Sequence, residues 1–147
     1  MQQQGLTKEK AAARISLFDI NGLIEPSRKN LSSSQQVYAH QYAPSKDLLA
    51  TIESLKPNIL IGVSTTGGAF NQRVVETMSK LNERPIIFAL SNPTEKAECS
   101  AEQAYSWSKG AALCVMSALP LIISISACGY GSSDWHRYRG NDAFGSA

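Results

Sequence analysis

The sequence predicts one α/β domain built on an open sheet of parallel strands. Two observations carry this prediction: 147 residues with 43% hydrophobic and 18% charged side chains suit one globular core, and apolar strand-like runs alternate with amphipathic helices. Connections of a dozen or more residues between successive strands require those strands to be parallel. Ligands of such sheets bind beyond the carboxyl ends of the strands, so functional residues are expected there.

The chain begins with a predicted short helix and strand. Thr7 is a suitable N-cap for a helix that runs to Arg14, and residues 15–18 form a strand that ends at Asp19. Asn21 and Gly22 then make a turn, and the polar, serine-rich residues 25–41 predict a surface loop. We therefore place Asp19 at the carboxyl end of the first strand of the sheet.

The middle of the chain predicts two helix and strand pairs. Ser45 can cap a helix whose apolar residues lie on one face over 48–55, and the continuous apolar run 58–63 predicts a strand covered on both faces. Asn71 begins the next helix, and its apolar face is followed by a strand at 86–90. The carboxyl ends of these two strands are Ser64 and Ser91-Asn92.

The last predicted helix begins with a capping box at Ser100 and Gln103, and an uncharged segment follows it. Ala111–Cys128 reaches the lower limit of length for crossing a bilayer, so a membrane span is one interpretation. The other is a pair of buried strands joined at Pro120, which its serine and cysteine residues also favour. We expect no membrane attachment.

Charge and cysteine content exclude several classes of function. Fourteen Lys and Arg against twelve Asp and Glu leave a net charge of +2, which is too small to predict a nucleic-acid partner. The three cysteines, Cys99, Cys114 and Cys128, form no C-x-x-C pair and predict neither a disulfide framework nor a zinc site. The polar, charged residues after Met1 do not resemble a signal peptide, so we expect a cytoplasmic protein.

Asp19 has two interpretations. An acidic side chain at a strand tip can accept the hydroxyl hydrogens of an adenosine ribose, as in dinucleotide-binding folds, or it can fix the Asn21-Gly22 bend as an Asx turn. The glycine-rich loop of those folds, G-x-G-x-x-G, should lie roughly 20 residues upstream. Gly5 is the one glycine before Asp19, so the loop is not there.

Residues near the other strand ends are also open to two interpretations. Gly67 and its neighbour could let a ligand approach the backbone or could serve a plain turn, and Asn92 could bind a carboxylate and a hydroxyl or form an Asx-Pro turn. Cys99 precedes a helix but has no histidine nearby to act as a base, so we expect no nucleophilic role. The acidic residues Glu95, Glu98 and Glu102 are expected to be solvated surface charges.

Several motifs resemble the malic enzyme family. They are Leu-Phe-Asp-Ile-Asn-Gly-Leu at 17–23, Lys-Pro-Asn-Ile-Leu-Ile-Gly-Val at 56–63, Gly-Gly-Ala-Phe at 67–70, the block from Asn82 to Thr94, and the block from Ala97 to Tyr105. The resemblance covers about residues 5–110. It implies an oxidoreductase that oxidatively decarboxylates malate to pyruvate and carbon dioxide with NAD or NADP and a Mg or Mn ion, and that forms homo-oligomers.

The resemblance also implies roles for particular residues. It places Asp19 at the adenosine ribose, Ser64 and Gly67 along the dinucleotide, and Asn92 against malate beside the nicotinamide. The polar loop around Gln36 corresponds to the place where NADP-using members tend to carry a lysine for the extra phosphate, so an uncharged residue there favours NAD. The family's catalytic tyrosine and lysine and its acidic metal ligands match no residue of this sequence, so no catalytic or metal-binding residue is assigned.

The implied fold is an incomplete Rossmann-like, doubly wound parallel sheet that lacks its first strand and glycine-rich loop. We interpret residues 1–110 as a partial NAD-binding domain and residues 111–147 as a divergent tail, of the kind that a shifted reading frame produces. This chain is then expected to be inactive by itself. The alternative is a noncatalytic α/β module that associates with a full-length malic enzyme subunit.

Overall fold

The computed structural model describes residues 5–118 and 122–126. The helices are α1 (Lys8–Ala12), α2 (Ser33–Gln36), α3 (Leu48–Leu55), α4 (Gln72–Leu81) and α5 (Ala101–Trp107), and a 3-10 turn spans Thr94–Lys96. The strands are β1 (Phe18–Asp19), β2 (Gly22–Leu23), β3 (Ile59–Gly62), β4 (Ile86–Ala89), β5 (Leu113–Ala118) and β6 (Ile122–Ser126).

Strands β3 to β6 form one sheet in that order. β3 pairs with β4, and β4 pairs with β5, in parallel register, with Gly62 opposite Ala89 and Ala89 opposite Met116. These pairings confirm the predicted α/β fold with parallel strands. β6 returns antiparallel to β5, so the segment that begins at Ala111 forms two strands, as the second interpretation predicts. In the described part of the chain, no helix is long and apolar enough to cross a membrane.

The helix starts follow from local capping chemistry. The predicted caps Thr7, Asn71 and Ser100 each accept a hydrogen bond from a backbone N–H of the first turn, and the Ser100–Gln103 capping box is complete. The predicted Ser45 cap is wrong. Asp47 caps α3 through a 2.9 Å bond from Leu49 N to its Oδ1, and the Ser45 hydroxyl instead donates to the Asp47 carbonyl.

The hydrophobic core lies between the sheet and helices α3, α4 and α5. It contains the inward face of α4 together with side chains of β4 and β5, among them Val75, Met78, Ile87 and Cys114. On β3, Leu60 packs against this core, whereas Ile61 is 56% exposed. The prediction that this strand is covered on both faces is therefore wrong for the described residues, because its alternate side chains point away from the helices.

The first two strands lie outside the main sheet. β1 pairs antiparallel with β2 in a two-residue hairpin, in which Asp19 is opposite Gly22. The predicted strand that ends at Asp19 is therefore not part of the parallel sheet. The predicted loop over 25–41 also contains the short helix α2, which starts at a capping box formed by Ser32 and Gln35.

Candidate functional site

The loops after β3 and β4 meet at the carboxyl edge of the sheet. The backbone N–H of Leu90 donates to Gly62 O at 2.9 Å, and Thr65 N donates to Ser91 Oγ at 2.8 Å. Parallel pairing of β3 with β4 brings the two loops together, because it aligns their carboxyl ends. Three of the four predicted site residues, Ser64, Gly67 and Asn92, belong to these loops.

Ser64 is accessible to solvent and also forms hydrogen bonds with a buried side chain. The residue is exposed, but its backbone N–H donates to Glu98 Oε1 at 3.2 Å, and its hydroxyl lies 3.5 Å from the same oxygen. The Ser64 carbonyl accepts the Thr65 hydroxyl at 2.6 Å. The buried side chain of Glu98 therefore holds Ser64 in place.

Gly67 is required by a close approach of the backbone. A Cβ at Gly67 would lie 2.8 Å from the carbonyl oxygen of Glu95, closer than real Cβ atoms come. Its neighbour Gly68 has a positive φ of 73°, which favours glycine, and its N–H donates to Ala97 O at 3.1 Å. The turn interpretation thus accounts for both glycines, and a role beside the dinucleotide stays a prediction.

Asn92 is exposed and follows the buried Ser91. The Asn92–Pro93 peptide bond is cis, and a 3-10 turn over Thr94–Lys96 comes next. Asn92 therefore lies in a turn at the rim of the edge, where solvent and small molecules can reach it. Its contact with a substrate stays a prediction.

Asp19 lies in the β1–β2 hairpin and not at the sheet edge. Its Oδ1 accepts the N–H of Asn21 at 2.8 Å, which confirms the Asx turn. Both carboxylate oxygens also accept from Arg28, at 2.9 Å each, and these hydrogen bonds lower the pKa of Asp19. Sequence reasoning missed Arg28, because nothing in its local pattern marks it as the partner of a carboxylate nine positions earlier.

Arg28 connects this ion pair to a cleft. A cavity of about 340 Å³ is lined by Pro26, Arg28, Asn30, Leu31, Gln36 and Ala39. Gln36, the residue singled out for cofactor choice, thus lies at the same cleft as the partner of Asp19. Its side-chain amide donates to Leu31 O at 3.3 Å.

Glu98 is the second functional candidate that sequence reasoning missed. The expectation of a solvated charge is wrong for this residue, because its exposed fraction is 0%, whereas Glu95 and Glu102 are exposed as expected. Its Oε1 accepts the Ser91 hydroxyl at 2.5 Å. The local sequence does not predict this burial, because the carboxyl group contacts Gly62 of β3 and residues of the loops after β3 and β4.

Cys99 is a packed thiol. It is buried in the core, and this burial raises its pKa to about 12, so a thiolate nucleophile does not form near neutral pH.

The described residues do not fit a Mg or Mn site. Hard divalent cations require several converging oxygen ligands. Within 5–118 and 122–126, no three His, Cys, Asp or Glu side chains lie close enough together to hold a metal ion.

A parallel sheet with polar loops gathered at the carboxyl ends of adjacent strands defines the class of α/β proteins that bind ligands at that edge. The family model described as "Malic enzyme, NAD binding domain" matches residues 1–121. The chain therefore belongs to the malic enzyme family and contains part of its NAD-binding domain.

Individual relatives agree with this assignment. Over 113 residues the chain is 50% identical to the NADP-dependent malic enzyme of Rattus norvegicus and 49% identical to the mitochondrial NAD-dependent malic enzyme of Ascaris suum, with 77% of the chain covered in both. The NADP-dependent malic enzyme 1 of Arabidopsis thaliana is 48% identical over 76% of the chain. The matched segment spans 20%, 18% and 19% of these relatives, about a fifth of their length. Their names include both cofactors.

Proposed function

We propose that this chain supplies the cofactor-facing and substrate-facing edge of an NAD-linked malic enzyme. The observation that carries the proposal is the meeting of the loops after β3 and β4, joined by the Thr65 N to Ser91 Oγ bond, in a chain of the malic enzyme family. The reaction class is oxidation of malate with loss of carbon dioxide to give pyruvate. NAD, when bound at this edge, would supply the hydride acceptor for that oxidation.

Each candidate residue has a role that its chemistry allows. Asn92 is an exposed residue, and a side-chain amide can donate to a malate carboxylate and accept from a hydroxyl. Ser64 and Gly67 would lie along the dinucleotide, because they belong to the loop next to Asn92. Asp19 would accept the ribose hydroxyls while Arg28 holds its carboxylate in one orientation.

We further propose that the chain does not turn over malate by itself. Loss of carbon dioxide requires a divalent cation held by several oxygen ligands and a proton donor and acceptor, and the described residues do not assemble that cation site. The purified chain with Mn, NAD and malate should reduce no more cofactor than an empty preparation. Turnover above that background that Asn92→Ala abolishes would show that the chain contains a complete site.

NAD is the proposed cofactor in preference to NADP. The Asp19 carboxylate would repel a 2′-phosphate, and Gln36 adds no cation at the cleft. Arg28 offsets part of that repulsion, since its guanidinium is paired with Asp19. The preference for NAD is therefore expected to be modest, and Gln36→Lys should shift it toward NADP.

A chimera tests the proposed function. The 113-residue segment of the Rattus norvegicus enzyme that matches this chain is replaced by the chain's own residues, and kcat/KM for malate is measured with each cofactor. We expect malate oxidation with a higher kcat/KM for NAD than for NADP. A folded chimera without activity would contradict the assignment of the edge, and a preference for NADP would contradict the proposed cofactor.

The second candidate function is association with an intact malic enzyme subunit. It is favoured by a row of exposed apolar side chains: Ile59 and Ile61 on the face of β3 turned away from the core, and Val63 directly after the strand. Co-purification of the tagged chain with a full-length subunit would support it, provided that Ile61→Lys abolishes the association. Purification of the chain alone would leave the enzymatic proposal as the better one.

We also propose a cytoplasmic location for the protein and a homo-oligomeric state for the complete enzyme. The three cysteines without a paired motif suit a reducing cytoplasm, although the Ascaris suum relative is named as mitochondrial. A homo-oligomer of the complete enzyme is expected from the resemblance to the family, and sedimentation of the active chimera measures it.

A further inference from the structure

The buried carboxyl group of Glu98 lies between the two loops of the proposed site. Its Oε1 accepts from three groups: the Ser91 hydroxyl at 2.5 Å, the Ser64 N–H at 3.2 Å and, at 3.5 Å, the Ser64 hydroxyl. The Ser91 Oγ in turn accepts the N–H of Thr65 at 2.8 Å. One carboxyl oxygen thus connects the start of the loop after β3 with the start of the loop after β4.

The backbone around Glu98 holds the far end of the same loop. Phe70 N donates to Glu98 O at 3.0 Å, and Gly68 N donates to Ala97 O at 3.1 Å. The loop over residues 63–70 is therefore fixed at its start by the Glu98 side chain and at its end by the 97–98 backbone. Both ends of the loop are therefore attached to the same short segment of the chain, residues 97–98.

Gly62 makes room for the carboxyl group. A Cβ at Gly62 would overlap the Cδ of Glu98, so the carboxyl group lies against the Cα of the last residue of β3. The Glu98 Oε2 is buried with no hydrogen-bond partner among the described residues. The edge therefore buries a carboxyl group whose Oε1 accepts hydrogen bonds from both loops, although its burial leaves Oε2 unpaired among these residues.

Thr65 shows why the loop needs such an attachment. Its φ is 57°, in the left-handed region that a β-branched residue rarely adopts. A conformation of this kind persists only where surrounding contacts fix it. The bond from Thr65 N to Ser91 Oγ is one of those contacts, and Ser91 is itself held by Glu98.

We propose that Glu98 is a positioning residue for the proposed cofactor edge. By holding Ser64 directly and Thr65 through Ser91, it fixes the loop after β3 relative to Asn92, the residue that follows Ser91. The benefit to cofactor binding rests on the proposed function, whereas the attachment of the loop can be measured without any cofactor.

The experiment compares amide hydrogen exchange in the ¹⁵N-labelled full chain and in four variants. In Glu98→Ala, we expect exchange at Ser64 and Thr65 to speed up at least tenfold, while exchange in helix α4 changes less. Glu98→Gln keeps an oxygen that accepts the same bonds, so its rates should stay within threefold of the wild type. Glu102→Ala, an exposed glutamate of α5, is the matched control and should change neither loop amide.

If Glu98→Ala fails to fold, Ser91→Ala can still test whether the hydrogen bonds from Glu98 through Ser91 to Thr65 fix the loop. This variant retains the carboxyl group and removes only the link to Thr65, so exchange should speed up at Thr65 much more than at Ser64. Unchanged exchange at Thr65 in Ser91→Ala, or unchanged exchange at both amides in a folded Glu98→Ala, would overturn the proposal.

A titration of the same samples with NAD separates positioning from plain stability. We expect the dissociation constant, followed by amide shifts, to rise at least fivefold in Glu98→Ala and to be restored in Glu98→Gln. An unchanged dissociation constant in a chain with a loosened loop would overturn the positioning role. Because the isolated chain is expected to bind NAD weakly, the titration extends to about 20 mM NAD. A wild-type chain whose site amides do not shift even there would instead count against the proposed function, and the exchange rates would still decide whether Glu98 holds the loop.

Discussion

At the scale of single residues, two carboxyl groups organise the two parts of the proposed site. Asp19 is partly exposed and paired with Arg28, whereas Glu98 is buried and surrounded by neutral hydrogen-bond donors. Neither environment follows from local sequence. A carboxylate next to Asn-Gly predicts a turn, which the structure contains, but its cationic partner depends on how the hairpin folds against residues 25–28.

Asp19 should make stability depend on pH at the acidic end. Hydrogen bonds from Arg28 hold the pKa of Asp19 below its ordinary value of 3.8, so the pair's contribution is fully present above that pH and is lost as pH falls through the lowered pKa. Urea unfolding of the wild type and of Asp19→Asn, at several pH values and fixed ionic strength, measures the contribution of the Asp19–Arg28 pair to the free energy of unfolding. The gap between their free energies of unfolding should be constant from about pH 5 to pH 7 and should shrink below pH 4. A gap that grows on acidification would contradict the pairing.

Gly62 and Glu98 should be energetically coupled. Gly62→Ala places a methyl group in the space of the Glu98 carboxyl group, and such overpacking typically costs about 1 to 3 kcal/mol. In a Glu98→Ala background that space is vacated, so the same substitution should cost about 1 kcal/mol less.

A double-mutant cycle by urea unfolding gives the coupling. Gly68→Ala is a useful comparison, because its added Cβ meets no atom within 4 Å and its cost comes from the positive φ. The losses in free energy of unfolding caused by Gly68→Ala and Glu98→Ala should therefore be additive. If the losses caused by Gly62→Ala and Glu98→Ala were additive too, the close contact between Gly62 and the Glu98 carboxyl group would be contradicted.

At the scale of elements, the sequence predicts α4, α5 and the parallel strands well, because their signals are local. Apolar periodicity and the caps Asn71 and Ser100 lie within a few residues of the helices that they define. The hairpin β1–β2 and the exposed face of β3 were predicted wrongly, because strand pairing and coverage depend on distant segments.

The Ser100 cap provides a test at this scale. Ser100→Ala removes the acceptor for the N–H of Gln103, so the free energy of unfolding should fall by about 1 kcal/mol. Ser106→Ala, an exposed position in the same helix, should change it by less than about 0.5 kcal/mol. Equal effects of the two substitutions in thermal or urea unfolding would count against the cap.

At the scale of the whole molecule, the chain contains one edge of a larger family domain. The sequence contains no G-x-G-x-x-G loop, and the chain spans about a fifth of the length of its relatives. Ser64, Gly67 and Asn92 could be placed from the sequence because they follow predicted strands. Glu98 and Arg28 could not, because their roles arise from contacts between separate loops.

The isolated chain should bind NAD weakly. Pyrophosphate is normally held by backbone N–H groups of a glycine-rich loop at a helix N-terminus, and the sequence contains no such loop. Losing several charge-assisted bonds of about 1.5 to 3 kcal/mol each would weaken a micromolar site beyond millimolar. Calorimetry checks this, and micromolar affinity for the chain alone would show that other residues hold the phosphates.

The effect of Asn92→Ala on kcat/KM for malate in the active chimera shows whether the edge formed by β3 and β4 binds the substrate. If the carboxyl edge of β3 and β4 faces the substrate, the value should fall at least tenfold, or about 1.4 kcal/mol, because a polar partner of malate is removed. Asn58→Ala, next to the amino end of β3, is the control and should leave it within about twofold. Equal values for Asn92→Ala and the unsubstituted chimera would contradict the proposed substrate site and leave Asn92 as a turn residue.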